Sequence, residues 1–89
     1  MIGTVNHTML AAVLDDRVVV LDSKNARVML MDARTEQVWR SCRGLTEEEI
    51  AARLEETSRS VLSTLRELAE VGLVRREDDR WRQADVAWV

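Results

Sequence analysis

Proline, phenylalanine and tyrosine are absent from this chain of 89 residues, cysteine and histidine occur once each, and glycine occurs three times. One cysteine, Cys42, excludes an internal disulfide, so a domain of this size rests on a modest apolar core that a second copy or a partner can supplement. With His7 and Cys42 alone of their kinds, no metal site of the usual ligand spacing is possible. Gly3, Gly44 and Gly72 lie too far apart for a glycine-rich phosphate loop. Apolar runs such as Val18-Val19-Val20-Leu21 fall well short of the roughly 18–20 residues a membrane span requires. The segment Met1-Ile2-Gly3-Thr4-Val5-Asn6 has neither a basic flank nor an apolar core, so no signal peptide and a cytoplasmic location are expected. Lys24 is the sole lysine among the basic residues, a usage that hints at a GC-rich bacterial genome.

What is present is a sequence 46% hydrophobic and 33% charged, the composition of one folded domain over residues 1–89. The formal charge of -3 opposes general binding of polyanions, because nucleic-acid affinity is mostly phosphate neutralisation. Up to Leu45 bases slightly outnumber acids. From Thr46 onward acids dominate, through Glu47, Glu48, Glu49, Glu55, Glu56, Glu67, Glu70 and Glu77 to Asp79.

The first third reads as strands. Arg17 to Asp22 and Arg27 to Met31 are β-favouring runs joined by the turn formers of Ser23-Lys24-Asn25-Ala26. A weaker strand over Thr4 to Met9, connected through Asp15-Asp16, completes a three-stranded antiparallel meander at about residues 4–31. The period then turns helical. Val38, Trp39 and Cys42 share one stripe of a helix over Ala33 to Cys42, with Asp32 as N-cap and Gly44 as stop. Thr46-Glu47-Glu48-Glu49 is a capping box opening a second helix with Ile50, Ala51 and Leu54 as its stripe. A third helix runs from Thr57 or Ser58 to Val71, with Val61, Leu62, Leu65, Leu68 and Ala69 inward and Gly72 as a left-handed cap. Leu73 to Arg76 and Arg80 to Gln83 flank the turn Glu77-Asp78-Asp79 as a hairpin. The predicted fold is α+β: a small antiparallel sheet, then three helices over about 33–71 and a C-terminal hairpin and tail over 73–89, the layout of a winged helix-turn-helix. Ala84 to Val89 is apolar for a chain end, so docking on the domain or on a partner is expected.

Taken in order, Val20-Leu21-Asp22, Arg27-Val28-Met29-Leu30-Met31-Asp32, Val38-Trp39, Gly44, Thr46-x-x-Glu49-Ile50-Ala51-x-x-Leu54 and Leu65-x-x-Leu68-x-x-x-Gly72-Leu73-Val74 resemble the PqqD-like family. These are peptide chaperones, also called precursor recognition elements of ribosomally synthesised, post-translationally modified peptides. The resemblance covers roughly Val18 to Val74. It departs at Asp32, where the family has Asn, at Met31, at Arg34-Thr35, at Arg43 before Gly44, and in the short connection Glu55-Glu56-Thr57-Ser58. All inward positions stay apolar and the caps stay competent.

The resemblance implies non-catalytic binding of a precursor's leader segment, which adds as an antiparallel strand beside the third strand and lies along the third helix. The site residues it implies are Arg27, Val28, Met29, Leu30 and Met31 on the strand and Arg59, Leu62, Arg66 and Ala69 on the helix. Met29 and Met31 align with inward positions, so Val28 and Leu30 take the opposite face. Arg27, Arg59 and Arg66 would pair with acidic leader residues. The partners implied are the leader and a modifying enzyme, such as the leader peptidase or cyclase of a lasso-peptide pathway, with no cofactor.

Plainer readings stand beside these. Met29, Leu30 and Met31 serve equally as core or as groove. Leu62 and Ala69 are structural if the helix is buried on two sides. Cys42 reads as a small buried residue rather than a nucleophile, and Glu47-Glu48-Glu49 as a response to the helix dipole. Trp39 is core, while Trp81 and Trp88 either cap the core or form a docking patch. The competing function is a DNA-binding winged helix, with Ser58, Arg59, Ser63 and Arg66 in the major groove and Arg75, Arg76, Arg80 and Arg82 on phosphates. A homodimer through Trp88-Val89 is a third reading.

Overall fold

The computed structural model describes residues 9–89. In chain order the elements are β1 (Met9–Leu14), β2 (Arg17–Asp22), β3 (Arg27–Leu30), α1 (Ala33–Arg40), β4 (Arg43–Leu45), α2 (Glu47–Leu54), α3 (Ser58–Glu70), β5 (Val74–Glu77), β6 (Arg80–Gln83) and β7 (Ala87–Trp88). The architecture is α+β with three helices and two sheets among the described residues. The chain divides into two compact units, one built from the described residues up to Asp32 with Asp85–Val89, the other from Ala33–Ala84.

The first unit is a four-stranded sheet in the order β3-β2-β1-β7. Leu14 pairs with Arg17 across Asp15-Asp16, and both aspartates hold positive φ, 50° and 64°. That is the backbone a two-residue hairpin turn needs to match the strand twist, and aspartate tolerates it better than most residues. The second turn is held by Asp22, whose Oδ1 accepts from the Asn25 backbone N–H at 3.3 Å and whose Oδ2 accepts from Asn25 Nδ2 at 2.8 Å and Arg27 Nη2 at 3.2 Å. The Asn25 side-chain bond, reinforced by Arg27, keeps the Asp22 carboxyl below its ordinary value despite desolvation.

The expected strand over Thr4 to Met9 lies outside the described residues except for Met9, and the first described strand is β1. The apolar tail forms β7, parallel to β1, and Val89 N–H donates to the Ala11 carbonyl at 2.8 Å. The meander β1-β2-β3 thus gains a fourth strand that the tail's composition did not announce.

The second unit packs three helices with the antiparallel sheet β4-β6-β5. Its interior holds Val38, Trp39, Ile50, Val61, Leu65, Leu68, Leu73 and Trp81, all buried. Trp39 Nε1–H donates to the Leu73 carbonyl at 3.0 Å, while Gln83 Nε2 donates to the Trp39 carbonyl at 2.9 Å. The indole therefore ties α1 to the residue before β5 as well as filling space, and the Trp39 backbone carbonyl ties it to β6.

α1 ends at Arg40 rather than Cys42, because the chain turns into β4. Gly44 sits inside that strand with φ 81°, and a Cβ there would stand 3.1 Å from the Arg82 guanidinium. The capping box opens α2 as predicted, with Thr46 Oγ1 accepting from Glu49 N and Glu49 Oε1 accepting from Thr46 N. Those bonds hold the Glu49 carboxyl below its ordinary value. The short connection to α3 is made by Glu55 in the left-handed region, φ 55°. Thr57 caps α3, and at its far end Gly72 (φ 80°) lets Leu73 N–H reach the Leu68 carbonyl at 2.9 Å. Glu77, expected in the final turn, instead pairs with Arg80 inside the hairpin.

Candidate functional site

Among the described residues β3 is an edge strand, with β2 on one side and no strand on the other. Met31 N–H donates to the Val18 carbonyl at 3.0 Å, and the register sets Leu30 opposite Val19, Met29 opposite Val20 and Val28 opposite Leu21. Antiparallel pairs alternate between hydrogen-bonded and non-hydrogen-bonded. Met31, Met29 and Arg27 therefore direct their backbone groups to β2, and Val28 and Leu30 direct theirs outward. Two N–H donors and two carbonyl acceptors line the open edge.

Natural edge strands are normally blunted by lysine, proline or a bulge. β3 carries none of these, and its outward-pairing residues are exposed and apolar, Val28 at 71% and Leu30 at 61%. Met29 is half-buried and Met31 is buried, so the face assignment expected from the sequence is the one observed, and Met31 is core. Arg27 is already engaged in its ion pair with Asp22.

On α3 the buried stripe is Val61, Thr64, Leu65 and Leu68. Leu62 is half-buried, and Arg59, Arg66 and Ala69 are exposed. The expectation that Ala69 points inward is corrected: the helix buries one face, and Leu62, Arg66 and Ala69 form a neighbouring stripe at i, i+4 and i+7, half-buried at Leu62 and exposed at Arg66 and Ala69. The strand residues belong to the first unit and the helix residues to the second.

The arginines that favoured DNA are largely occupied by the protein itself. Arg75 Nε and Arg82 Nε each contact the Glu77 carboxylate, at 3.0 and 2.8 Å. Arg80 Nη1 donates to the Gly44 carbonyl at 2.7 Å, and the Arg76 guanidinium lies 5.6 Å from the Trp81 ring centroid. Trp81 is buried and donates to Glu47 Oε2 at 3.2 Å, which places it in the core, whereas Trp88 is about half exposed.

Cys42 is buried, its thiol donates to the Val38 carbonyl, and desolvation pushes its pKa up to about 12. A thiol so rarely ionised at neutral pH is a poor nucleophile. His7, considered as its partner, lies outside the described residues.

One cluster had no signal in the spacing of its residues. Arg34 makes a two-pronged contact with Glu56, Nε to Oε1 at 3.0 Å and Nη2 to Oε1 at 2.6 Å, and also donates to Thr64 Oγ1 at 2.6 Å. It joins α1 to the connection before α3 and holds the Glu56 carboxyl below its ordinary value.

No family model, curated protein or solved structure matches this chain.

Proposed function

We propose that this chain recognises the leader segment of a ribosomally made precursor peptide, which pairs as an extra antiparallel strand with β3. The observation that carries the reading is the unguarded edge at Val28 and Leu30, where outward backbone groups sit between exposed apolar side chains. In strand augmentation the backbone bonds give affinity and alternate side chains give selectivity. The module is non-catalytic and hands its peptide to a modifying enzyme, a lasso-peptide leader peptidase or cyclase being the favoured kind.

The second reading is a DNA-binding winged helix. It is favoured by the order α1-β4-α2-α3-β5-β6 with the first of these strands beside the last. The engagement of Arg75, Arg76, Arg80 and Arg82 within the protein, and the surrounding acids, weigh against it.

Fluorescence polarisation with the leader of a short reading frame encoded beside the gene, run in parallel with random duplex DNA, separates the two. Saturable peptide binding at micromolar affinity, with new hydrogen-exchange protection of the Val28 and Leu30 amides, supports augmentation. Leu30→Asp then abolishes binding while helical circular dichroism persists. Salt-dependent DNA binding without a peptide signal overturns the reading.

A further inference from the structure

The sheet of the first unit is apolar on both faces. One face carries the buried Met9, Ala11, Val18 and Val20. On the other the register aligns Leu10, Leu21 and Val28 in one row and Ala12, Val19 and Leu30 in the next. No charged side chain interrupts those rows, yet Leu10, Leu14, Leu21, Val28 and Leu30 are all exposed. Strand spacings near 4.8 Å and a rise near 3.4 Å per residue make this face roughly 15 by 20 Å. Contiguous apolar patches of this extent on a soluble domain mark interaction surfaces.

We infer that this face packs against the same face of a second copy of the chain, forming a two-sheet sandwich about a twofold axis running along β2. The relief of the face argues for a copy of itself. Ala12, the small residue between Leu10 and Leu14, opens onto a shallow cavity of about 190 Å³ bounded also by Val19, Leu21 and Val89. Two strands away in the same row stands Leu30, the exposed knob. A twofold along β2 carries the β3 of one copy over the β1 of the other at the same height, so each Leu30 enters the recess over the other copy's Ala12. Aligned sheet packing has this geometry, and an isologous interface requires a surface complementary to itself.

At the hairpin end Arg17 lies on the axis and meets its own counterpart, a like-charge pair tolerated only because the Asp15-Asp16 turns of both copies flank it. Two faces of about 300 Å² bury roughly 600 Å² in total, below the range of stable complexes, so a weak dimer that forms only well above micromolar concentration is expected. The β7 strands form the margins of the sandwich, each overhanging the other copy's β3 from the facing layer, and the in-plane edge of β3 stays open. The inference does not rest on peptide recognition.

Sedimentation equilibrium of the full chain from micromolar to near-millimolar concentration tests it. The wild type dimerises, and Ala12→Leu and Leu30→Ala each raise the dissociation constant roughly tenfold. The double variant Ala12→Leu/Leu30→Ala recovers most of that loss, since the displaced volume is returned across the interface. Leu14→Lys, remote from β3, gives a monomer with unchanged circular dichroism and unchanged leader binding. A wild type monomeric throughout, a dimer indifferent to Ala12→Leu and Leu14→Lys, or a double variant no better than its parents overturns the proposal.

Discussion

The two units place the same kinds of side chain in opposite ways. In the helical unit the large apolar residues Trp39, Ile50, Leu65 and Leu73 are inside, and the hairpin arginines are held by Glu77, Gly44 and Trp81. In the sheet unit the buried face is made of modest residues such as Ala11, Val18 and Val20, while Leu14, Val28 and Leu30 face solvent. A region that satisfies its own polar and apolar groups is a scaffold. A region with an unguarded edge and a bare apolar face is where contact with another chain lowers the free energy most.

Substitutions sharpen this contrast in a graded way. Trp39→Ala is the most damaging, removing a fully buried indole and its bond to Leu73, and should destabilise the protein by about 3–5 kcal/mol in urea unfolding. Gly44→Ala forces a Cβ onto a left-handed backbone against Arg82 and should cost about 1–2 kcal/mol in the same measurement. Thr46→Ala removes the hydroxyl of the capping box and should cost about 1 kcal/mol.

Acid offers a smaller and differently shaped effect. Arg34 lowers the Glu56 pKa below its ordinary 4.5, so the folded state binds fewer protons than the unfolded one in that region. The stabilisation is fully present above the unfolded value and is lost as pH falls through the folded one. The melting-temperature gap between wild type and Arg34→Gln should therefore be widest near neutrality and narrow below pH 4.5. A gap that stayed constant with pH would assign the role of Arg34 to Thr64 and to Ser60, whose Oγ accepts from Arg34 Nη2 at 2.8 Å. At the bottom of the scale, Leu21→Lys on the bare face should leave urea stability, measured at concentrations where the chain is monomeric, within about 0.5 kcal/mol of wild type. A large loss there would mean that the face is closed within a single chain.

Local rules made much of this legible. Arg17–Asp22 is a strand with the predicted bounds, the capping box opens α2, and Gly72 ends α3 in the left-handed region. Each depends on a few adjacent residues whose chemistry admits one backbone solution. The exposed face had a signal too: Val18-Val19-Val20-Leu21 is apolar at every position, and a half-buried strand alternates.

Other features depended on distant partners. Arg43-Gly44-Leu45 holds no strand pattern and becomes β4 only because β6 lies beside it, and Ala87-Trp88 becomes a strand only beside β1. Arg34 meets Glu56 and Thr64 across 22 and 30 residues. The sequence by itself determined where helices start and stop, which strand faces are apolar, and that Cys42 and Trp39 are interior, since period and capping act within a turn or a pleat. Only the tertiary structure decided that β7 takes the other edge of the sheet, that the hairpin arginines are engaged, and that an apolar face is exposed. Each of these depends on which segments become neighbours, and pairing across tens of residues leaves no local trace.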